Sequence, residues 1–459
     1  MASDKQVKFI LDEEQIPTHW YNIEADLPVK TPPPFDASTG KPIDISKLSA
    51  IFSKGAIEQE TTHERYVEIP APVREIMRQW RPSPLFRARR LEKALGTPAR
   101  IYYKYEGVSP SGSHKTNSAL AQAYECKKCG VKKITTETGA GQWGSALSQA
   151  CNAFGIECKV FMVRCSFDQK PYRKAMMEIF GGTVVASPSN QTEAGRAVLA
   201  KDPNCRGSLG IAISEAVEEA LKDEDTKYCL GSVLNHVLMH QSVIGLEAIK
   251  QFELADDYPD LIIGACGGGS NFAGLSNPFL GEMLRGGRKV DVLGVEPAAC
   301  PSLTKGKYAF DYGDVAKMTP LMKMYTLGSS FIPPAVHAGG LRYHGMAPQV
   351  SNILHQGLMR AETVNQLDVF EKAVMFARAE GIVPAPESAH AICAAINKAL
   401  ECKEKGEEKA ILFNLSGHGH LDMTAYLEYF AGNLKNYEYP AEEIAMALSC
   451  LPSCEDKAK

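Results

Sequence analysis

An α/β fold with mostly parallel sheets is what this sequence predicts, and three observations predict it. From Arg100 onward, short apolar runs rich in β-branched residues alternate with helical patterns of about 10–15 residues, the rhythm of strands joined by crossover helices. Hydrophobic residues make up 44% and charged residues 23% of the 459, the balance of a soluble globular chain with length for roughly two to four packed units. Fifty Lys and Arg against 54 Asp and Glu leave a net charge of −4, without the basic excess that a nucleic-acid partner requires.

The first hundred residues are rich in proline (Pro32-Pro33-Pro34, then Pro70 and Pro72) and short on periodicity. They are expected to run as an extended, wrapping segment with one helix near 73–80. An aromatic strand is expected at 100–106. Further strands are expected at 133–136, 158–163, 183–186, 261–266, 290–295 and 410–415, each a short run of strand-forming residues bounded by turn signals. Between them, helical spacing covers 116–129, 144–154, 174–180, 211–221, 243–252 and 368–379. The stretch 300–362, with Pro333-Pro334 and Gly339-Gly340, is expected to be a loop-rich insertion over one sheet.

No segment approaches the roughly 18 apolar residues of a membrane helix, and the N-terminus lacks a signal-peptide pattern. The 13 cysteines are an odd number without framework spacing, which points to reduced thiols and a cytoplasmic protein. Cys126 and Cys129 are expected to share a buried helix face. Cys450 and Cys454 form a second local pair, and neither pair supplies the four ligands of a structural zinc site.

Four motifs carry chemistry. Gly267-Gly268-Gly269-Ser270-Asn271 follows a buried strand and opens a helix, where bare backbone N–H groups and a hydroxyl suit a phosphate. A dinucleotide site, with Glu296 as the ribose acid, and a plain structural turn are the alternatives. The third glycine of a dinucleotide fingerprint is missing, since Asn271 and Phe272 stand there. Ser113-His114-Lys115-Thr116-Asn117 places a lysine at a helix start, where a cation is electrostatically misplaced and its amine is favoured in the neutral, nucleophilic form. A solvated lysine is the alternative for that position alone. Together, a nucleophilic lysine and a monophosphate cradle suggest one group with both an aldehyde and a phosphate, pyridoxal phosphate.

Glu137-Thr138-Gly139-Ala140-Gly141-Gln142-Trp143 closes a strand and opens a helix; its amides suit a carboxylate, and Glu137 suits proton transfer. Trp143 either seals a pocket or fills the core. Ser416, ending the last strong strand, offers a neutral hydroxyl to a pyridine nitrogen. His418 with His420, and His236 with His240, have metal-pair spacing but no evident third ligand, so local hydrogen bonding is expected of the first pair, packing or polar roles of the second, and no metal is assigned.

These motifs, with Glu387-Ser388-Ala389-His390, stand in an order and spacing that resemble the tryptophan synthase beta chain family from about residue 80 to 420. The long N-terminus and the Arg342 region resemble its second, divergent class. The resemblance implies a fold-type-II pyridoxal-phosphate enzyme of two interleaved three-layer α/β/α domains, 1–80 plus 114–239 and 81–113 plus 240–459, with the cofactor between them. It implies that Lys115 binds the cofactor covalently and that His114, Gly267, Gly268, Gly269, Ser270 and Asn271 surround the phosphate. Ser416 would face the ring nitrogen, Gln142 the phenolic oxygen, and Glu387 the ring. Thr138, Gly139, Ala140, Gly141 and Gln142 would receive the amino-acid carboxylate.

The implied activity is that of a lyase condensing L-serine with indole, with Lys115 and Glu137 as catalytic residues. In the better-known class an aspartate of the Ala-Gly loop closes over the substrate hydroxyl; here Arg342 takes that place. Three readings follow: L-serine held differently, which is preferred; O-phospho-L-serine clamped by Arg342; or an arginine that only pairs with a neighbouring carboxylate or with the wrapping segment. Other lyases of the same fold (serine or threonine dehydratase, threonine synthase, cysteine synthase) and a non-catalytic cofactor-binding subunit are the competing functions. A homodimer acting on free indole is expected, with at most weak alpha-chain association and a monovalent cation as a further ligand.

Overall fold

The computed structural model describes residues 6–334 and 336–452. A seven-stranded sheet runs in the order Lys8–Phe9, Leu85–Arg87, Arg100–Tyr105, Ala410–Leu415, Leu261–Ala265, Asp291–Pro297, Arg360–Val364. Leu85–Arg87 runs against both neighbours, and the five strands from Arg100–Tyr105 onward are mutually parallel. A second sheet, Thr183–Ser187, Glu157–Val163, Lys133–Thr138, Thr226–Tyr228, is parallel throughout. The central strands Leu261–Ala265 and Ala410–Leu415 are buried along their whole length, which is why they read as continuous apolar runs rather than alternating ones.

Parallel strands finish side by side. Tyr105 pairs with Leu415, and Ala265 with Val295, so the loops after these strands emerge at one edge of the large sheet. Thr138 ends its strand in the smaller sheet. Open α/β sheets bind ligands outside such carboxyl ends, and the four chemistry-bearing motifs lie there or at a helix start just beyond.

Two expectations need correction. The stretch 300–362 is not mainly loop: Lys307–Tyr312 and Leu321–Thr326 form an antiparallel hairpin, which Phe35–Asp36 and Lys41–Pro42 extend into a third sheet. The flanking Pro and Gly clusters hid a strand pair whose partner comes from nearly 300 residues away, roughly, in the N-terminal segment. Cys129 does not share a buried face with Cys126; it caps the exposed end of the helix Thr116–Lys128, and Cys126 lies instead 3.8 Å from Cys229. Cys454, of the second pair, lies outside the described residues. The described cysteines are free, ten of them buried.

The N-terminal segment does wrap. The Tyr21 amide donates to Ser242, the Val29 amide to Gln356, and Gln349 donates to Glu24. Trp20, Tyr21, Ile23 and Leu27 are buried in the main core, so the segment is anchored by apolar burial as well as hydrogen bonds.

Candidate active site

Two adjoining cavities meet at Lys115, Gln142, Ser232, Gly268 and Gly340. The smaller is lined by all ten residues predicted to hold the cofactor: His114, Lys115, Gln142, Gly267, Gly268, Gly269, Ser270, Asn271, Glu387 and Ser416. The larger is lined by Glu137, Thr138, Gly139 and Ala140 together with apolar side chains such as Phe52, Ile213 and Leu230. Gly141 and Arg342 line neither.

Lys115 stands immediately before the helix Thr116–Lys128 and donates 2.9 Å to the Gly231 carbonyl. Burial pushes its amine down to about 8, against the opposing pull of Glu137 and Glu387. The start of its helix is fixed from behind. Asn117 donates to Glu106 (3.1 Å) and Gln241 (3.0 Å), and Glu106 accepts a two-point bond from Arg81 (3.0 and 3.1 Å). Arg81 also reaches Glu247, which Lys104 meets at 2.7 Å, and all four charged side chains are fully buried. Removing one member of such a set costs about 3–5 kcal/mol, because the partner charge is left without compensation. Nothing in the sequence marked Arg81, Lys104, Glu106 and Glu247 as a unit, since they come from separate segments.

Glu137 lies in the strand Lys133–Thr138 and is buried; burial pushes its carboxyl up to about 7. Tyr228, in the neighbouring three-residue strand, donates its phenol to Glu137 at 2.6 Å and pulls the other way. Sequence reasoning missed Tyr228, because only the parallel pairing of the two strands brings it alongside. The loop after Thr138 turns through Gly141 (φ +92°) into the helix Gln142–Phe154. The Thr138 hydroxyl accepts the amides of Gly141 and Gly144, both at 3.2 Å, and so caps that helix. Trp143 is a core side chain that also lines the larger cavity, and its indole N–H donates to Thr136 at 2.7 Å.

Gly269 (φ +100°) turns the chain into the helix Ser270–Leu284, a conformation that a side chain would strain. A Cβ on Gly267 would stand 2.2 Å from the Gly340 carbonyl, so the loop backbone is packed too closely for any other residue. Asn271 is tied internally, donating to Ala265 (2.9 Å) and accepting from Asn414 (2.6 Å), which leaves its backbone for a ligand. The proposed ribose acid of the dinucleotide alternative is consumed: Glu296 accepts the amides of Leu303 and Thr304, each at 2.9 Å.

The residues fit pyridoxal phosphate. His114 lines the cradle with Nδ1 3.3 Å from the Ser416 carbonyl, while its buried Nε2 has no partner among the described residues. Burial drives this imidazole down to about 3, so it is neutral. Ser416 is paired with Ser388 at 2.8 Å, a neutral hydroxyl held by another neutral hydroxyl. Glu387 bridges the two sides of the site, accepting from Gln142 (3.0 Å) and from the Gly340 amide (2.9 Å).

Arg342 is buried and turned toward the helix Arg164–Gln169, donating 2.8 Å to Ser166. Among the described residues it has no carboxylate partner, in contrast to Lys170 and Arg173, which share Asp422. The pair His418 and His420 bonds locally, and His236 and His240 take polar roles with distant residues. His236 meets Glu60, His240 meets Gln59 and Ser118, and His418 accepts the amide of His420.

Comparisons with known proteins place the chain in a family. A family model described as "Pyridoxal-phosphate dependent enzyme" matches residues 76–417. A protein of Methanosarcina mazei named tryptophan synthase beta chain 2 is 60% identical over 94% of this chain and 98% of its own. One of the same name from Thermotoga maritima is 59% identical over 91% of this chain and 99% of its own. Among solved structures, a cysteine synthase of Entamoeba histolytica superposes with a TM-score of 0.55 at 18% identity, covering 82% of this chain and 95% of its own. A fungal L-serine ammonia-lyase from Rhizomucor miehei gives 0.54 at 17%, covering 77% and 98%. The structural likenesses establish the fold and the sequence likenesses the lineage: the chain belongs to the tryptophan synthase beta chain family of fold-type-II pyridoxal-phosphate enzymes.

Proposed function

We propose that this lyase condenses L-serine with indole to give L-tryptophan and water. The observation that carries the reading is Glu137: a buried carboxyl pushed up to about 7, lining the same apolar cavity that Lys115 faces. A carboxyl poised at about 7 can both give and take a proton, and the apolar walls suit an aromatic nucleophile while excluding water. A dehydratase needs no such aromatic compartment. Purified holoenzyme given L-serine and indole, followed by mass detection of tryptophan, tests this; no product would sink it, and would leave a non-catalytic role.

When bound, pyridoxal phosphate supplies the electron sink for negative charge at the amino-acid Cα. The chain's residues do the rest in this reading. The glycine loop and Ser270 hold the phosphate beside His114, and the backbone of Thr138, Gly139, Ala140 and Gln142, which lines the larger cavity, takes the carboxylate at a helix start. Lys115 moves the Cα proton, its low amine pKa matching that task. Glu137 delivers a proton to the departing hydroxyl and then accepts the indole N–H. Tyr228 positions Glu137 and stabilises its charged form. Tyr228→Phe should therefore raise the Glu137 pKa, and the limb of the kcat/KM pH profile that Glu137 sets should move to higher pH. An unmoved profile would deny Tyr228 that role.

A second reading, O-phospho-L-serine as the donor, is favoured by one observation. Arg342 is a buried cation without a carboxylate partner among the described residues, and its guanidinium approaches Gly339, next to the cavity-lining Gly340. Rotation away from Ser166 would let it clamp a phosphate. Arg342→Ala should cut kcat/KM for the phosphorylated donor about tenfold or more, the worth of a charge-assisted bond, and change that for L-serine little. Equal values in wild type and variant for both donors would remove Arg342 from substrate choice.

We also propose the division into units 1–80 plus 114–239 and 81–113 plus 240–459. The sharing of one sheet by Arg100–Tyr105 and Ala410–Leu415 supports it, while Lys8–Phe9 crosses to that same sheet and ties the units together. A cytoplasmic homodimer acting on free indole completes the proposal. The free thiols support the compartment, and the N-terminal residues already walling the larger cavity support independence from an alpha chain.

A further inference from the structure

The larger cavity contains a polar group that the mechanism above does not use. His236, in the helix Asn235–His240, lines the part of the cavity walled by the N-terminal residues Phe52 and Glu60. Its Nδ1 lies 2.7 Å from the Glu60 carboxylate, which also accepts the backbone N–H groups of His236 (2.9 Å) and Asn235 (3.1 Å). A carboxylate only accepts, so Glu60 places a hydrogen on Nδ1, and a ring that carries that one hydrogen has a bare lone pair at Nε2. That Nε2 is buried and, among the described residues, has no hydrogen-bond partner; the side chain is only 1% exposed. The neighbouring His240 cannot supply one, because both its ring nitrogens are engaged with Gln59 and Ser118. The Phe52 ring packs 5.8 Å from the ring of Tyr228 and 6.4 Å from that of His236, so His236 lies one aromatic wall away from the Tyr228–Glu137 pair.

A single buried acceptor in apolar surroundings is costly until a donor reaches it. The ligand that fits is apolar on all sides and carries one N–H. An amino acid does not fit, because its two charges would go unmet. We propose that His236 Nε2 is a second acceptor for the ring N–H of indole, holding the nucleophile in the outer part of the cavity before it moves to Glu137. Glu60 is its positioning residue. This rests on the tryptophan-forming reading above and adds a binding site to it.

The test uses the holoenzyme with L-serine. His236→Phe keeps an aromatic ring and removes the acceptor. It should raise KM for indole about fivefold, the size of one neutral hydrogen bond, with KM for L-serine moving less than twofold. Inhibition by 1-methylindole, which has no N–H to donate, should be equal in wild type and variant. An unchanged indole KM, or an equal loss for 1-methylindole, would overturn the proposal. So would a parallel rise in the L-serine KM, which would mark a packing defect instead. If the variant does not fold, wild-type holoenzyme labelled with ¹⁵N-histidine decides. Indole should shift the Nε2 resonance of one Nδ1–H histidine where 1-methylindole does not, and equal responses would overturn the site. Wild type that makes no tryptophan overturns the functional reading itself, a result distinct from coupling that is indifferent to His236.

Discussion

Lys115→Ala should purify without bound pyridoxal phosphate and form tryptophan at least about 10²–10⁴-fold more slowly than wild type, the range for a lost proton-transfer group. The amine stands at a helix start, faces the join of both cavities, and is held by the Gly231 carbonyl at 2.9 Å. Borohydride reduction of the wild-type holoenzyme should place the pyridoxyl label on Lys115 in a peptide map. A label on any other lysine would end the assignment. The lowered amine pKa adds a second reading of the same group. Capture of the cofactor by the apoenzyme needs the neutral amine, so its rate should climb as pH rises through about 8 rather than through the ordinary 10.5. A rate still climbing steeply at pH 10 would show that burial does not depress this lysine.

Glu137→Gln should retain the cofactor and lose tryptophan formation by about 10²–10⁴-fold. The glutamine keeps the shape and hydrogen-bonding reach of the side chain but cannot deliver or take a proton. Near-normal coupling would leave Glu137 only a structural part. The substitution also has a stability signature. The folded-state pKa of Glu137 is raised from 4.5 to about 7 by burial. Its contribution to stability is therefore fully present below the unfolded pKa and is lost as pH rises through about 7, where a buried charge must form. Glu137→Gln should then raise Tm at pH 8 relative to wild type, with a smaller difference near pH 4. A variant that gains stability while losing activity is the behaviour of a group kept for chemistry. Equal Tm at both pH values would mean that the carboxyl is better solvated than its burial implies.

The periodic elements were legible because each carries its own signal. The strands Ala410–Leu415 and Thr183–Ser187 and the helix Val243–Ala255 were located from apolar runs and helical spacing, with ends differing by at most a few residues. The hairpin Lys307–Tyr312 and Leu321–Thr326 was not, because its surroundings are rich in turn residues and part of its sheet is supplied by Phe35–Asp36. The same contrast holds in the site. The cofactor-cradle residues lie in short contiguous motifs, each at the end of a strand or the start of a helix, where geometry is local. Tyr228, Ser388 as partner of Ser416, and Arg81 behind Asn117 act only through contacts across long stretches of chain.

By itself, then, the sequence determined the α/β class, the glycine loop that opens a helix, the lysine at a helix start and the acid near a strand end, since each depends on residues within one turn or one strand. Tertiary structure alone decided what those groups are chemically. Lys115 is a weak base and Glu137 a weak acid because sheets and helices far apart in the chain close over them and remove water. It also decided that Arg342 rests on Ser166 rather than on a carboxylate, and that Glu60 from the wrapping segment orients His236 at the cavity wall. Desolvation and long-range pairing depend on what the whole fold places around a residue, and no local pattern of letters encodes that.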